Sequence, residues 1–279
     1  MTLLRPPDYP YDLRDLEEKI AAKGTALGRP LFVFGEIDST NDEAKRVAKG
    51  EGTHGTLFLA ESQTKGRGRS GNQWSSPRSE NLLFSVIAEV MCPLSRVPCL
   101  SIAVGVAIAD AIESFVNGRV QLKWPNDVWI DEKKVAGILV ESARGISSAT
   151  SENALVKSTL VIGVGLNVHT RVFPDELKSV ATSMAIHARG DLSRSQILAD
   201  VMARIDRDLF LVAAKGLGPI AARIDQRDGL RGKEVRSDHG QGIARGIAPD
   251  GRLRVELRDG TLGLWASGEV SRVLRSGGK

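Results

Sequence analysis

The residues best suited to chemistry form a short basic loop, Lys-Gly-Arg-Gly-Arg-Ser-Gly, at positions 65–71. Its three cations alternate with small residues, and Trp74 follows. Glycine lets backbone N–H groups approach an anion closely, and the cations neutralise the charge of that anion. The loop lacks both the Gly-Lys-Ser/Thr ending of a Walker A loop and the spacing of a dinucleotide-binding fingerprint. It is typical of a mobile segment that closes over a phosphate-bearing ligand, although a solvated surface loop can have the same composition.

Three further segments place polar groups beside apolar strands. Lys123 opens the run Lys-Trp-Pro-Asn-Asp, and Lys134 opens Lys-Val-Ala-Gly-Ile-Leu-Val-Glu. We place both lysines at strand starts, where a partly buried ammonium is costly unless it meets an anion. Residues 163–168 (Gly-Val-Gly-Leu-Asn-Val) end another apolar strand. Residues 39–43 (Ser-Thr-Asn-Asp-Glu) indicate a helix start with capping-box spacing between Thr40 and Glu43, and such a start offers N–H groups and hydroxyls to a polar ligand.

The elements that must position these segments follow from apolar spacing and from glycine and proline breaks. We expect strands at residues 31–36, 56–61, 82–90, 120–124, 128–131, 135–142 and 155–168, and helices at 12–23, 41–49, 98–116, 193–214 and 218–226. From residue 232 the pattern changes to short alternating strands with hairpin signals. The order predicts an α+β fold with a central mixed or antiparallel sheet and helices, then a small C-terminal β-barrel. We assign residues 1–230 to the large domain and 231–279 to the barrel.

Composition limits the classes of protein to which the chain can belong. Its 279 residues, 42% apolar and 26% charged, can bury a full core. The early prolines would break a signal helix, so we do not expect export. Polar residues interrupt the apolar run at 97–116, so we do not expect this run to span a membrane. Cys92 and Cys99 have no partner at metal-ligand spacing, so we expect buried free thiols in a reducing compartment. The net charge of +4 is too small to indicate nucleic acid by itself.

In this order, the four segments resemble the biotin protein ligase family, specifically from about residue 34 to 168 and more loosely to residue 270. The resemblance implies the class II synthetase-like biotin/lipoate ligase fold, a barrel of the Src-homology type and a cytoplasmic, ATP-dependent enzyme. Such an enzyme forms biotinyl-5′-AMP from biotin and ATP and transfers biotin to a lysine of a biotin carboxyl carrier protein. A lipoate ligase, which also adenylates an acid, is the alternative. The Gly-Arg-Gly-Arg and Lys-Trp-Pro-Asn-Asp segments favour biotin.

The resemblance also implies roles for single residues. The biotin-binding residues would be Ser39, Thr40, Asn41, Gln63, Gly66, Arg67, Gly68, Arg69, Lys134 and Gly137. The nucleotide-binding residues would be Trp74, Lys123, Asn126 and Asn167. Lys134, Arg67 and Arg69 would act in catalysis, because the carboxylate of biotin must attack the α-phosphorus of ATP although both partners are anions. Mg²⁺ would shield the departing pyrophosphate, with Asp127 as a direct or water-mediated partner.

Two features differ from the family pattern. Asn72 stands where members often carry a basic residue, so we expect weaker phosphate contacts there. About thirty residues precede the first predicted strand, too few for a DNA-reading domain, so we expect no DNA binding. A nucleic-acid binder remains the alternative from another class, supported only by a pI of about 9.1. We further expect no membrane contact and a monomer or weak homodimer.

Overall fold

Two β-sheets organise the chain, which the computed structural model describes for residues 1–6, 8–143 and 154–273. The strands of the larger sheet are β1 (Thr2–Leu4), β2 (Leu31–Glu36), β3 (Leu57–Ala60), β4 (Leu82–Pro93), β5 (Val120–Lys123), β6 (Asp127–Ile130), β7 (Lys133–Ser142) and β8 (Leu155–Leu166). Their order across the sheet is β1-β2-β3-β4-β8-β7-β6-β5. β2 and β3 pair in parallel and the other neighbours pair antiparallel, so the predicted mixed sheet is confirmed.

Helices cover both faces of this sheet. They are α1 (Leu16–Ala22), α2 (Thr40–Val47), α3 (Val97–Ile112), α4 (Arg194–Lys215) and α5 (Ala221–Arg227). α2 packs on one face, where Ala44 joins a small apolar cluster with Phe58 and Ile87. α3 and α4 pack together on the main core against the opposite face. The start of α2 is thereby fixed over the middle of the sheet.

The long apolar helix α3 belongs to the core. The stretch Leu94–Phe115 has the length and composition to cross a membrane, but 67% of its most apolar window is buried inside the protein. Gly105 lets the sheet approach closely, because a Cβ there would lie 3.0 Å from Leu122. The apolar composition of α3 therefore follows from contact with protein on most sides.

The smaller sheet contains β9 (Glu234–Ser237), β10 (Gly240–Ile247), β11 (Leu253–Leu257), β12 (Leu262–Trp265) and β13 (Ser271–Arg272), in the antiparallel order β12-β11-β10-β9-β13. The His239 ring in the β9–β10 turn lies 6.1 Å from the Trp265 ring at the end of β12, so the sheet curls on itself. Trp124 Nε1 donates to Gly251 O at 2.8 Å and joins the two sheets. Residues 274–279 of the predicted barrel lie outside the described residues.

Several predicted boundaries need correction. β1 was not predicted, because three residues are too few to show an alternating pattern. The predicted helix at 12–23 begins as a short 3-10 turn, Tyr11–Leu13, and α1 proper begins at Leu16. The helix predicted at 218–226 likewise starts with the 3-10 turn Gly218–Ile220. Lys123 ends β5 and does not begin a strand.

Candidate active site

The start of α2 forms one end of a cleft. Ser39 is its N-cap, and its Oγ accepts from the Asp42 N–H at 3.3 Å. The capping pair predicted between Thr40 and Glu43 is therefore wrong by one residue. Thr40 contacts Gln63 instead, whose Oε1 accepts from the Thr40 N–H at 2.8 Å and from its hydroxyl at 3.2 Å. These hydrogen bonds therefore join the segment that carries Gln63 to the first turn of α2.

A fully buried serine lies beneath this helix start. The Oγ of Ser85, in β4, lies 2.8 Å from Thr40 Oγ1 and 2.6 Å from Asn41 Oδ1. Asn41 in turn packs on Gly163 of β8, where a Cβ would overlap its amide group. Sequence reasoning missed Ser85, although a lone hydroxyl within the apolar run at 82–88 is the signal that points to it.

Glu141, near the C-terminal end of β7, contacts several polar and charged side chains around the cleft. Glu141 accepts from Asn41 Nδ2 at 3.0 Å, and its Oε1 lies 3.0 Å from Lys45 Nζ and 3.1 Å from Arg67 Nη2. Burial alone would raise the pKa of Glu141, but the hydrogen bonds from Asn41 and Lys45 and the charge of Arg67 hold this pKa below its ordinary value. Arg67 also lies 2.6 Å from Asp42, so two carboxylates share its charge.

The basic loop, residues 65–71, is held in a compact turn by its own backbone. The Trp74 N–H donates to Gly66 O at 3.0 Å, and the Gly68 N–H donates to Asn72 O at 2.7 Å. A Cβ at Gly66 would overlap the Trp74 carbonyl, so this approach requires glycine. The loop therefore places its arginines and Trp74 on the same cleft.

Arg69 differs from Arg67 in its surroundings. Its Nη1 donates to the amide oxygen of Asn126 at 3.2 Å, and within the described part of the chain no carboxylate pairs with it. Asn126 is fixed on β7 by two bonds to Ile138, Nδ2 to the carbonyl at 2.8 Å and its own carbonyl from the Ile138 N–H at 3.0 Å. The positive charge of Arg69 is therefore uncompensated, because its partner Asn126 is a neutral amide.

Two lysines face one aspartate beside the loop. The Nζ of Lys134 lies 2.8 Å from Asp127 Oδ1 and 5.4 Å from the centre of the Trp74 ring. The Nζ of Lys123 lies 3.9 Å from Asp127 Oδ2 and 5.6 Å from the Trp129 ring. The two ammonium groups therefore share one carboxylate, so the three side chains together carry a net positive charge.

Two paired glycines form the floor of the cleft. Gly137 of β7 and Gly165 of β8 lie directly opposite each other, and the Trp74 indole rests on both. A Cβ at Gly137 would lie 2.9 Å from the Trp74 ring, and one at Gly165 would overlap it. The buried Trp74 Nε1 has no hydrogen-bond partner among the described residues, so it remains available as a donor.

The structure brings most predicted site residues into two adjoining spaces. An inner cavity is lined by Ser39, Thr40, Asn41, Gln63, Arg67, Gly68, Arg69, Trp74, Asn126, Lys134 and Gly137. A groove of about 950 Å³ shares Trp74 and Lys134 with this cavity. Lys123, Asp127 and Asn167 also line the groove. Gly66 lines neither space and lies at the base of the basic loop.

The outer wall of the groove comes from two segments that sequence reasoning did not single out. One follows β8 and carries apolar side chains at Val172, Phe173, Leu177 and Val180. Val172 and Val180 are 79% and 55% exposed, so this wall presents apolar surface to the groove. The other is the C-terminal segment with Glu269 and Arg272. The smaller sheet therefore contributes to the groove.

A dedicated metal site is not formed by the described residues, which contain no group of three or more His, Cys, Asp or Glu side chains placed to hold an ion. The single carboxylate of Asp127 faces the ammonium groups of Lys134 and Lys123. A lone carboxylate that is already ion-paired is a poor match for the oxygen-rich shell that Mg²⁺ requires.

Comparisons with known proteins show which families and proteins this chain resembles. Residues 33–165 match the model of the Biotin/lipoate A/B protein ligase family, and residues 232–273 match the Biotin protein ligase C terminal domain. The chain is 32% identical to a biotin–[acetyl-CoA-carboxylase] ligase of Mycobacterium tuberculosis, over 91% of this chain and 92% of the relative. It is 31% identical to the bifunctional ligase/repressor BirA of Escherichia coli, over 98% and 84% of the two chains.

A solved structure shows the same fold. Biotin protein ligase from Aquifex aeolicus, determined in complex with biotin and ATP, superposes with a TM-score of 0.72 at 28% identity. The match covers 88% of this chain and all of that one. The expected fold class, including a separate C-terminal antiparallel sheet, is thereby confirmed.

Proposed function

Because this chain belongs to the biotin protein ligase family, we propose that its cleft joins biotin to ATP as biotinyl-5′-AMP and then transfers biotin to a lysine of a carrier protein. The observation that carries this proposal is the position of Lys134, which lies where the inner cavity meets the groove. A cation at that junction suits the point where a carboxylate and a phosphate must meet. The family match and the relatives named above support the same activity.

The inner cavity is our proposed site for biotin. Its polar end, formed by Ser39, Thr40, Asn41 and Gln63, offers hydrogen bonds to a polar ring. Phe84, Ile138 and Leu139 add apolar surface, and Arg67, Arg69 and Lys134 add positive charge. A cavity that combines these three kinds of group suits a bicyclic urea with an aliphatic chain and a terminal carboxylate.

The groove is our proposed site for ATP. Trp74 and the apolar wall at 172–180 would enclose the adenine, and Lys123 and Asn167 would lie around the ribose and phosphates. Asn126 lines the inner cavity, where it accepts from Arg69, and would reach the phosphates only from that side. Asn167 is fixed for such a role, because its Nδ2 donates to Thr182 O at 3.0 Å. Burial of 94% of this residue leaves little freedom to its side chain.

In the first step an oxygen of the biotin carboxylate attacks the α-phosphorus, and the bond to the bridging oxygen breaks as pyrophosphate leaves. Both reactants are anions, so the site must reduce their repulsion and hold them in line. Lys134, Arg67 and Arg69 are the cations proposed for this task. Arg69 fits it best, because Arg67 already shares its charge with Glu141 and Asp42.

Mg²⁺ is proposed to arrive with ATP as part of the substrate, since triphosphate oxygens supply the ligands that the described residues do not assemble. Asp127 is better explained as the residue that orients Lys134, from which it lies 2.8 Å away.

In the second step the amine of a carrier lysine attacks the biotinyl carbonyl, and AMP leaves. A biotin carboxyl carrier domain is the proposed acceptor. The basic loop would cover the mixed anhydride and exclude water until that lysine enters.

We also propose a domain boundary near residue 230, supported by the separate hydrogen bonding of β9 to β13.

A cytoplasmic location is proposed as well, supported by Cys92 and Cys99, which are both buried and unpaired. Burial raises the pKa of Cys99 to about 11, so this thiol stays protonated and unreactive near neutral pH. A monomer or weak homodimer is proposed for the free enzyme, and sedimentation velocity would test it.

Pyrophosphate exchange tests the function directly. Purified protein with ATP and labelled pyrophosphate should form labelled ATP only when biotin is present. Exchange that depends on lipoate and ignores biotin would favour the lipoate-ligase alternative. No exchange with either acid would refute the proposal.

A further inference from the structure

A buried asparagine outside the cavity and the groove joins three segments of the chain. Asn81 is 2% exposed and uses all of its amide groups. Its Nδ2 donates to Ser76 Oγ at 2.7 Å and to Thr170 Oγ1 at 2.8 Å, and its Oδ1 accepts from the Val168 N–H at 2.8 Å. A buried amide with every bond made holds its neighbours in one arrangement.

The partners of Asn81 belong to two different segments that line the groove, and each segment forms one of its walls. Ser76 lies two residues after Trp74, on the wall that follows the basic loop. Val168 directly follows Asn167, and Thr170 continues the other wall. Asn81 is therefore the side chain that bonds to both segments, beside the backbone bond from the His169 N–H to Glu80 O at 2.9 Å.

The backbone of Asn81 is held by a buried ion-pair network. Its own carbonyl accepts from Arg194 Nη1 at 3.2 Å. Arg194 is 1% exposed and is held by Glu61 at 2.9 Å and Asp12 at 2.7 Å. These charge-assisted bonds tie the start of β4 to α4 and to the N-terminal segment, so the backbone of Asn81 is held by contacts other than those of its side chain.

We propose that Asn81 is a positioning residue for the nucleotide half of the cleft, which sets the spacing of Trp74 and Asn167 without touching ATP. The inference rests on the proposed function. The polar end of the inner cavity is held by a different set of bonds, from Ser85 and Gln63 to the start of α2. Loss of Asn81 should therefore weaken the use of ATP and leave biotin binding intact.

The first test is Asn81→Leu, which keeps the volume and removes all three side-chain bonds. We expect kcat/KM for ATP in the exchange reaction, at saturating biotin, to fall about 10- to 100-fold, because small misplacements in a site have effects of this size. The Kd for biotin, measured by calorimetry without nucleotide, should change by less than about two-fold. Ser85→Ala is the matched control, and it should show the reverse pattern.

The second test uses the two arms of the link separately. Ser76→Ala cuts the arm to the Trp74 wall, whereas Thr170→Val removes only one of the two bonds to the Asn167 wall and leaves the bond from the Val168 N–H to Asn81 Oδ1. Because the walls are linked in series through Asn81, Ser76→Ala should lower kcat/KM for ATP about as much as Asn81→Leu, and adding Thr170→Val should lower it no further. This pair also keeps the proposal testable if Asn81→Leu does not fold.

The outcomes separate the two proposals. Absence of exchange in the unaltered protein would refute the proposed function. If that protein is active, an unchanged kcat/KM for ATP in the variants would overturn the positioning role of Asn81. So would an equal loss of ATP and biotin binding, or additive effects of the two arms, because a merely structural role predicts those results.

Discussion

Lys134 and Asp127 form an ion pair of 2.8 Å at the junction of the inner cavity and the groove. The ammonium also lies over the Trp74 ring, at 5.4 Å from its centre. The pair connects the start of β7 to the start of β6, which are neighbouring antiparallel strands. Their spacing is thus fixed by sheet hydrogen bonds, and the cation is held in place before any substrate enters.

Lys134→Ala should lower biotin-dependent pyrophosphate exchange by about 30- to 1000-fold, equivalent to roughly 2–4 kcal/mol of transition-state stabilisation. Lys157 is a matched control, because it is exposed, lies 2.9 Å from Glu89 and lines neither the inner cavity nor the groove. Lys157→Ala should keep most of the exchange activity. A merely two-fold loss in Lys134→Ala would contradict the assigned role.

Asp127→Asn should lower kcat because Lys134 loses the charge that orients it. We expect the loss to persist when the Mg²⁺ concentration is raised, since the carboxylate faces two lysines. The measurement is the exchange rate over a Mg²⁺ titration. Full recovery at high Mg²⁺ would show instead that Asp127 binds the metal.

Arg69→Gly should release more biotinyl-adenylate than Arg67→Gly, because the charge of Arg67 is shared with Glu141 and Asp42 whereas Arg69 contacts a neutral amide. Each variant is incubated with biotin, ATP and a bystander protein, and bystander biotinylation is quantified. Equal labelling by the two variants, at equal adenylate formation, would contradict this ranking.

Glu141→Gln should destabilise the fold by about 1–3 kcal/mol at pH 7, because the hydrogen bonds from Asn41 and Lys45 lose their negatively charged acceptor. The pKa of Glu141 is held below its ordinary 4.5, so its contribution is present above 4.5 and disappears as the pH falls through the lowered pKa. Urea unfolding at several pH values measures the difference from the unaltered protein.

That difference should shrink as the pH falls below about 4.5. The control is Glu256→Gln, which removes an exposed pair with Arg245 and should have little effect at any pH. If the difference in unfolding free energy for Glu141→Gln stayed constant at acidic pH, the stability would depend on the packing of this side chain and not on its charge.

The sequence by itself determined the kinds of residue that the site contains. Glycines between arginines, a hydroxyl-rich helix start and lysines beside apolar strands are local features, and they keep their chemistry in any fold. The division into a large α+β part and a small all-β part also follows from local spacing of apolar residues. These features pointed to an anion-binding site before any distance was known, and acyl activation was implied by the resemblance of their order to the biotin protein ligase family.

Only the tertiary structure decided which of these residues meet. Gly137 faces Gly165 because of the register between β7 and β8, and register depends on packing across the sheet. Ser85 and Asn81 acquire their roles from partners more than forty residues away in one case and almost ninety in the other. Such contacts have no local pattern, because the chain pays their loop-closure entropy only when the whole core forms.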